Sequence, residues 1–368
     1  MKSAINKNNR FASLLTCMLL LFCAQFIVAQ TVRTVDNRPQ SGAQYTTVAA
    51  AIAASIPGDI IYIHPSTSSY GNFTIDKTLT LIGSGHDPSN FGGIRSTIGT
   101  VTLAGTGNPD VSGTVFTGLN IGHITANSFG SQSDNIHIIN NRITAGADGY
   151  FNGTGSDGWI IEGNYFDSAA SSNNLNVNFC DNWNIRNNVF EGQIIELDHT
   201  SVVTNNLFIN ADSTGPATIF ESVSGVTSPI VTNNMFIFTD PDVTEIVNTG
   251  ATAVTYTNCL TWNAGEGVAS DLVALSGSGN LDNMDPEFTS IPSDLYDFYN
   301  NDFTLLGSSP AIGAGTDTTD LGIFGRNFPF DNNGRPHSMP YPELMTILNT
   351  VVQPGQNLNV QFQATQKN

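Results

Sequence analysis

The chain has 368 residues, of which 31 are acidic and 12 are basic, so its formal net charge is −19. This charge argues against nucleic acids and other polyanions as partners, because like charges repel at separations up to about 10 Å at moderate salt. Neutral glycans, divalent cations and basic surfaces are compatible with the composition.

The N-terminal stretch is typical of a secretory signal peptide. Lys2, Lys7 and Arg10 precede the apolar run SLLTCMLLLFCAQFIVAQ, which is too short and wrongly flanked for an ordinary membrane span. We therefore predict a signal peptide over residues 1–29 and an exported protein, extracellular or periplasmic, that keeps no membrane attachment. Removing these three basic residues and no acidic one lowers the net charge from −19 to −22.

The first segment of the mature chain predicts a short helix followed by strands. In YTTVAAAIAASIPGDIIYIHP, an alanine-rich stretch predicts a helix at about Thr46 to Ala54, and Pro57-Gly58 ends it. GDIIYIH, LTLIGSG and GTVTLAG then predict three strands. A helix placed over the open end of stacked strands would cap the core of a solenoid.

From Ile138 onward, one six-residue pattern returns at intervals of 18 to 28 residues. Its copies read IINNRI, IEGNYF, IRNNVF, VTNNLF, VTNNMF and YTNCLT, in which the second asparagine or its replacement Cys259 marks one position. Repeats of this length with strand-forming residues indicate a solenoid.

The columns of the repeat predict how each coil folds. Apolar residues lie three positions before and two positions after the marker, and asparagine or glycine directly before it suits a left-handed corner. We predict an all-β, right-handed parallel β-helix of about ten three-stranded coils over residues 30–335, with a C-terminal β segment over residues 336–368. This register pairs Glu162 with Arg186 as an exposed ion pair across neighbouring coils. It also separates Cys180 from Cys259 by roughly 14 Å, which excludes a disulfide.

Both ends of the mature chain resemble a known group. YTTVAAAIAASIPGDIIYIHPS with GNFTIDKTLTLIGSG is similar to the opening of pectate-lyase-like β-helix proteins, which include pectin esterases. NMDPEFTS, DFTLLGSSPAIGAGTDTTDLGIFG and PYPELMTILNTVVQPGQNLNVQFQAT resemble the closing coil and terminal β segment of secreted β-helix proteins of Bacteroidetes-type bacteria. The resemblance implies a fold, whereas lyases, hydrolases, esterases and adhesins all share that fold.

Two glutamates are the candidate catalytic pair. Matching the strand QIIELDHTS with TIFESV places Glu221 beside Glu196, one coil step of about 4.8 Å away, with Asn178 on the other side. Carboxylates about 5 to 5.5 Å apart suit the acid and nucleophile of a retaining glycosidase. The alternative interpretation of these two glutamates is a solvated acidic surface.

Substrate contacts are predicted around the same strands. Asn176, Asn178 and Asp198 are the candidate substrate-binding residues, and the aromatic residues Tyr150, Phe151 and Trp183 are candidates for stacking on sugars. The expected partner is extracellular polysaccharide, and a monomer is expected.

The metal prediction rests on a single loop. In TDPDVTEIV, the carboxylates Asp240, Asp242 and Glu245 would hold Ca²⁺ if the loop folds back on itself, and no other cofactor is predicted. Two alternatives to a hydrolase stay open. One is a non-catalytic surface or matrix protein, and the other is a calcium-dependent lyase that uses Arg142 or Arg186 as its base.

Overall fold

In the computed structural model the chain forms two units, Met1–Thr31 and Val32–Asn368. The second unit contains the β-helix. The described residues are 30–103, 109–126, 131–150, 154–167, 173–210, 215–265, 271–290, 298–326, 328–336, 341–348 and 355–365. The predicted signal peptide lies outside them.

The first of three long faces is an eleven-stranded parallel sheet, called face 1. Its strands are β1 (Val32–Val35), β2 (Ile60–Ile63), β4 (Thr80–Ile82), β6 (Val115–Thr117), β8 (His137–Ile139), β11 (Ile160–Glu162), β14 (Asn184–Arg186), β17 (Val202–Thr204), β20 (Ile230–Thr232), β23 (Tyr256–Thr257) and β25 (Gly277–Ser278). Successive strands of this sheet belong to successive coils, and their number agrees with the prediction of about ten coils.

Faces 2 and 3 form one fourteen-stranded sheet because two strands, β5 (Thr97–Leu103) and β7 (Asn120–Ala126), run through the corner between them. Face 2 continues with β9 (Arg142–Ile143), β12 (Tyr165–Phe166), β15 (Val189–Phe190), β18 (Leu207–Asn210), β21 (Met235–Phe238) and β24 (Leu260–Asn263). Face 3 contains β3 (Phe73–Ile75), β10 (Ala147–Asp148), β13 (Asn173–Asn176), β16 (Gln193–Ile195), β19 (Gly215–Val223) and β22 (Val243–Gly250). The predicted parallel β-helix of three-stranded coils is therefore confirmed, with the right-handed crossover that parallel strands require.

The repeated asparagines form a ladder inside the corner between face 1 and face 2. Asn188 accepts the N–H of Asn164 at 2.9 Å, and its own N–H and side-chain amide donate to Asn206 at 3.0 Å. The residue before each marker has positive φ, as at Asn187 (52°) and Asn205 (55°). Because each marker asparagine from Asn141 to Asn206 donates its N–H to the asparagine of the next coil, the ladder fixes the sharp turn that the repeat predicts.

An aromatic stack fills the core beside this ladder. The rings of Phe166, Phe190, Phe208 and Phe236 are parallel, and successive centroids lie 4.7, 5.0 and 5.1 Å apart. All four rings are buried. The inward apolar column predicted two positions after each marker is therefore formed.

The helical cap at the N-terminal end is present as α1 (Val48–Ala54). Thr47 caps the helix by accepting the N–H of Ala50 at 3.2 Å, while Val48 and Ile52 are buried against the first coils. The cap residue explains why the helix begins at Val48 rather than at Thr46. In the part of the chain that the structure describes, no helix is both long and apolar enough to cross a bilayer.

A C-terminal segment covers the outer surface of face 2. It contains the antiparallel pair β26 (Phe288–Ser290) and β27 (Asp302–Leu305), and it contributes to a second apolar core outside the coils. Residues 298–330 of this segment are called the cover below. The predicted C-terminal β segment follows as a hairpin of β28 (Tyr341–Ile347) and β29 (Val360–Thr365). Short 3₁₀ helices lie at Pro88–Phe91, Ser131–Ser133 and Gly322–Phe324.

Two placements derived from the repeat can be checked directly. Glu162 pairs with Arg186 across neighbouring strands as predicted, but Glu162 is buried, so the ion pair is not the exposed one expected. Burial raises the pKa of Glu162, although the ion pair with Arg186 opposes the shift. Cys180 and Cys259 are free and buried, and burial raises the pKa of each thiol to about 12. The prediction that they form no disulfide is confirmed.

Candidate functional site

The outer surface of face 3 carries a continuous column of mostly polar side chains. Strand pairing brings seven residues into line, one from each successive coil: Thr74, Thr102, Thr125, Asp148, Asn176, Ile195 and Glu221. All seven are half-buried or exposed, whereas their inward neighbours, such as Ile124, Leu175 and Phe220, are buried. The period of two residues along each strand therefore puts a polar stripe outside and the core inside.

A histidine supports the middle of this column. His123 lies two residues before Thr125 on the same side of β7, and its Nε2 is 3.1 Å from Asp148 Oδ2. About a third of each of the two side chains is accessible. The pair therefore presents a fixed hydrogen-bonding group at the surface.

Two aromatic rings stand directly beyond the column. Tyr150 follows Asp148 by two residues and Phe179 follows Asn176 by three, and their rings stack with centroids 5.8 Å apart at 28°. Phe179 is 67% exposed, and its φ is 54°. An exposed, bulky residue in the left-handed region is unusual, and such backbone outliers concentrate at functional sites.

The structure corrects the strand match that paired Glu196 with Glu221. Glu221 pairs with Ile195, and Asn176, not Asn178, lies on the other side of Ile195. Glu196 is the next residue, with φ of 58°, and corresponds to Ser222, whose φ is 55°. Both residues are left-handed corner positions that end their strands, and the strand pattern alone does not reveal them. The predicted register, which pairs Glu196 with Glu221, is therefore wrong by one residue.

Glu196 and Glu221 nevertheless belong to adjacent coils. The N–H of Glu196 donates to the carbonyl of Glu221 at 2.7 Å. Glu221 is exposed and Glu196 is half-buried. Alternation along QIIELDHTS predicts that Ile195 points inward, but Ile194 fills that place and is buried.

The predicted substrate-binding residues are divided between the face and its edges. Asn176 lies in the column, and its Oδ1 accepts the N–H of Asn178 at 3.1 Å, so Asn178 lies just beyond the strand. Asp198 lies at the corner toward face 1, where Oδ1 accepts the N–H of Thr200 at 2.8 Å. Burial would raise the pKa of Asp198, but the hydrogen bonds from Thr200 and His199 outweigh it and lower the pKa.

The aromatic candidates also divide. Trp183 is fully buried, with its ring stacked 4.5 Å from that of Trp159, so it is a core residue and not a sugar platform. Tyr150 is half-buried and lies at the surface, while Phe151 lies outside the described residues.

The three predicted calcium ligands are not brought together. Asp240 Oδ1 accepts the N–H of Asp242 at 2.8 Å in a tight turn, while Glu245 lies on β22 and pairs with Pro216. Among the described residues, no three His, Cys, Asp or Glu side chains are grouped so that they could hold a metal ion. The loop does not fold back as the calcium prediction requires.

The two arginines named for a lyase are engaged in ion pairs. Arg142 pairs with Asp167 and donates to Asn120 Oδ1 at 2.6 Å, and Arg186 pairs with the buried Glu162. Each guanidinium is therefore already held by a carboxylate of the protein. The arrangement gives a lyase base no support.

His123, Asp148 and Phe179 are the residues of this surface that sequence reasoning missed. The repeat marks the corner between faces 1 and 2, and the face 3 strand follows that corner after a different number of residues in each coil, so the repeat does not place Asp148 in its register. One signal is present in the sequence, since ADGY at 147–150 and LNVNF at 175–179 both end a short polar strand with an aromatic residue.

No protein-family model matches the chain, and no curated protein matches it. Among solved structures, the chain is similar to one described as "Crystal structure of pectate lyase Pel9A", with 15% sequence identity and a TM-score of 0.27 over 82% of this chain and 98% of that chain. At that TM-score the similarity carries no argument about activity or substrate.

Proposed function

We propose that this protein is exported and engages extracellular polysaccharide through the outer surface of face 3. The observation that supports the proposal is the polar column through Thr125, Asp148 and Asn176, bordered by the aromatic pair Tyr150 and Phe179. Hydroxyl groups of a glycan need neutral and charged hydrogen-bonding partners, and the C–H faces of a sugar pack on aromatic rings. A column that repeats once per coil suits an extended ligand better than a compact one.

The more specific part of the proposal is that Glu196 and Glu221 hydrolyse the bound polysaccharide. Glu196 and Glu221 are offset by one residue on adjacent coils, which separates their Cα atoms by about 6 Å. Their side chains are long enough to adopt the carboxyl separations of either a retaining or an inverting glycosidase. In this scheme one carboxyl group protonates the leaving oxygen and the other attacks the sugar or activates water.

A non-catalytic surface or matrix protein is the second candidate. The position of Glu196 outside the column favours this candidate, because Glu221 then has no carboxylate next to it in the column. The other carboxylate of that part of the column, Asp148, lies three coil steps or about 14 Å away, with Asn176 and Ile195 between them. A rod that binds a glycan needs the column and the rings but no carboxylate pair.

A panel of neutral and acidic polysaccharides tests binding by the mature chain. We expect Phe179→Ala and Asn176→Ala each to weaken the affinity roughly five- to tenfold, since a stacking contact or a hydrogen bond contributes about 1 kcal/mol. Val226→Ala is the matched control, because Val226 is an 88% exposed apolar residue away from the column. Equal affinities of all three variants and the unchanged chain would refute the proposed surface.

The same panel, with and without Ca²⁺, separates the chemical alternatives. New reducing ends that disappear in Glu196→Gln and Glu221→Gln indicate the proposed hydrolase, and reducing ends that persist reject these residues while keeping the activity. Ultraviolet absorbance from unsaturated products indicates a lyase instead. Binding without either signal indicates the non-catalytic protein.

A further inference from the structure

A concave site lies at the corner between faces 1 and 2, away from the corner that carries the aromatic rings of face 3. The cover closes over this corner and leaves a pocket of about 410 Å³. Its lining residues are Arg186, Asn187, Asp317, Thr319, Arg326 and Phe328. The volume falls within the range of about 300–1,000 Å³ typical of small-molecule sites.

One coil lacks a side chain in the corner column beside the pocket. The column that contains Asn140, Asn187 and Asn205 has Gly163 in place of an asparagine, with φ of 66°. A Cβ at Gly163 would lie 2.4 Å from Asn140 Oδ1 and 3.0 Å from the ring of Phe328. The ring therefore packs where the missing side chain would be, and the adjoining space stays open.

Asn187 supplies the second, independent observation. The residue is fully buried, and its Nδ2 donates to the carbonyls of Ile323 and Gly325 at 2.9 Å. Its Oδ1 has no hydrogen-bond partner among the described residues, although Asn187 lines the pocket. In the next coil, Asn205 Oδ1 accepts from Thr204 and Asn233. A buried acceptor without a donor is costly, so a donor from a ligand is expected there.

The charges of the pocket are balanced. Arg186 pairs with Glu162, and Arg326 Nε donates to Asp317 Oδ2 at 3.0 Å. Both arginines use Nε for these contacts, so their Nη groups are the donors that face other partners. An anionic ligand would need an uncompensated cation, whereas a neutral ligand needs only donors, acceptors and an apolar surface.

We propose that this pocket binds one residue of a neutral sugar. A ligand hydroxyl donates to Asn187 Oδ1, and the guanidinium Nη groups donate to ring and hydroxyl oxygens. Thr319 Oγ1 donates to Asp317 Oδ1 at 2.6 Å and therefore serves the ligand as an acceptor. The ring of Phe328 offers the apolar surface on which a sugar's C–H face packs. This site does not depend on the face 3 proposal, since the two share no residue.

Ligand-observed NMR of the mature chain with neutral monosaccharides (glucose, galactose, mannose and xylose) and with glucuronate tests the proposal. We expect at least one neutral sugar to bind with an affinity that stays within about twofold between roughly 50 and 300 mM salt, because no net charge is neutralised. Arg326→Gln and Thr319→Val should each weaken that binding roughly tenfold. Arg38→Gln is the control, since Arg38 forms a comparable, partly exposed ion pair with Asp36.

The outcomes are distinct. Preference for glucuronate, or binding that falls steeply with salt, would overturn the neutral ligand. Absence of binding, or binding that both Arg326→Gln and Thr319→Val leave unchanged, would overturn the site. Phe179→Ala should leave this binding intact, so a failure here and a failure of the face 3 surface are separable. If Arg326→Gln loosens the cover and lowers the unfolding temperature, Thr319→Val decides, because it removes one hydroxyl and no charge.

Discussion

Faces 2 and 3 of the same coils differ in the character of their outer surfaces. The outward column of face 2 becomes apolar after Arg142, and its residues Tyr165, Val189, Leu207, Met235 and Leu260 are all buried. The outward column of face 3 is mostly polar and accessible. Both inward columns are equally apolar. The inward pattern is thus required by the coil, while the outward pattern depends on whether another segment covers the face.

This difference shows where a ligand has room. Face 2 uses its outer surface for stability, because the cover buries Phe303, Leu321 and Ile323 against it. Face 3 leaves Asp148, Asn176 and Phe179 at the surface. Large buried apolar area on one side and hydrogen-bonding groups on the other are consistent with a rod stabilised along one face and functional along another.

The largest expected effect comes from breaking the cover. Phe303→Ala removes a ring that is 1% exposed. This ring stacks on Phe298 and meets Phe288 edge to face. We expect the free energy of unfolding to fall by about 3–5 kcal/mol, because a buried cavity is added to the lost burial. Chemical denaturation measures the fall, and limited proteolysis reports whether the cover opens first.

Leu306→Ala is the matched control for Phe303→Ala, since Leu306 is in the same segment but 46% exposed. Its cost should stay below about 1 kcal/mol. Equal losses from the two variants would mean that the cover does not stabilise face 2.

The parts of the fold that could be predicted from the sequence share one physical reason. A buried asparagine must find hydrogen bonds, so its repeat reports the corner directly, and even Asn280, which sequence reasoning did not assign, extends the ladder by accepting the N–H of Cys259 at 3.0 Å. Glu196 carries no such requirement. Its left-handed φ is permitted to many polar residues, so the corner after β16 left no signal and the predicted register was wrong there.

The next test concerns the asparagine ladder, because its hydrogen bonds lie inside the coil and contribute to the free energy of unfolding independently of the cover. Cys259 Sγ lies 3.9 Å from the carbonyl of Val231 and 3.5 Å from that of Thr257. Asn206 Nδ2 donates to the two equivalent carbonyls around its own coil, those of Ile185 and Thr204. We expect Cys259→Asn to raise the free energy of unfolding by about 1–2 kcal/mol by restoring these bonds. Cys259→Val, which fills the space without donors, should not reproduce the gain.

A smaller effect is expected on face 3. Phe179→Gly removes an exposed ring and relieves a φ of 54°, so we expect a gain of about 0.5–1 kcal/mol in the free energy of unfolding. The same change should weaken polysaccharide binding as much as Phe179→Ala does. A stability gain with no loss of binding would show that the ring serves neither purpose, and it would weaken the contrast between the two faces.

The smallest effect concerns charge at the corner that joins face 3 to face 1. Asp157 donates its N–H to Asp134 at 2.8 Å, and Asp181 donates its N–H to Asp157 at 2.8 Å, so three carboxylates stack on successive coils. Burial, together with the charges of Asp157 and Asp110, raises the pKa of Asp134 above the ordinary value of 3.8, although the N–H of Asp157 opposes the shift. The contribution of Asp134 to stability is therefore full below about pH 3.8 and is lost as the pH rises through its folded-state pKa.

Asp134→Asn keeps the acceptor and removes the charge, so its benefit depends on pH. At pH 7 we expect the substitution to raise the unfolding temperature by less than about 2 °C relative to the unchanged chain. At about pH 3 we expect no difference, because the carboxyl group is neutral in both the folded and the unfolded chain. Asp242→Asn, at an exposed loop position, is the control for the same change of net charge. A benefit of Asp134→Asn that is larger in acid than at neutral pH would contradict the sign of the shift. Repulsion among these carboxylates would then play no part in keeping face 3 uncovered, and the polar column alone would have to explain why face 3 is accessible.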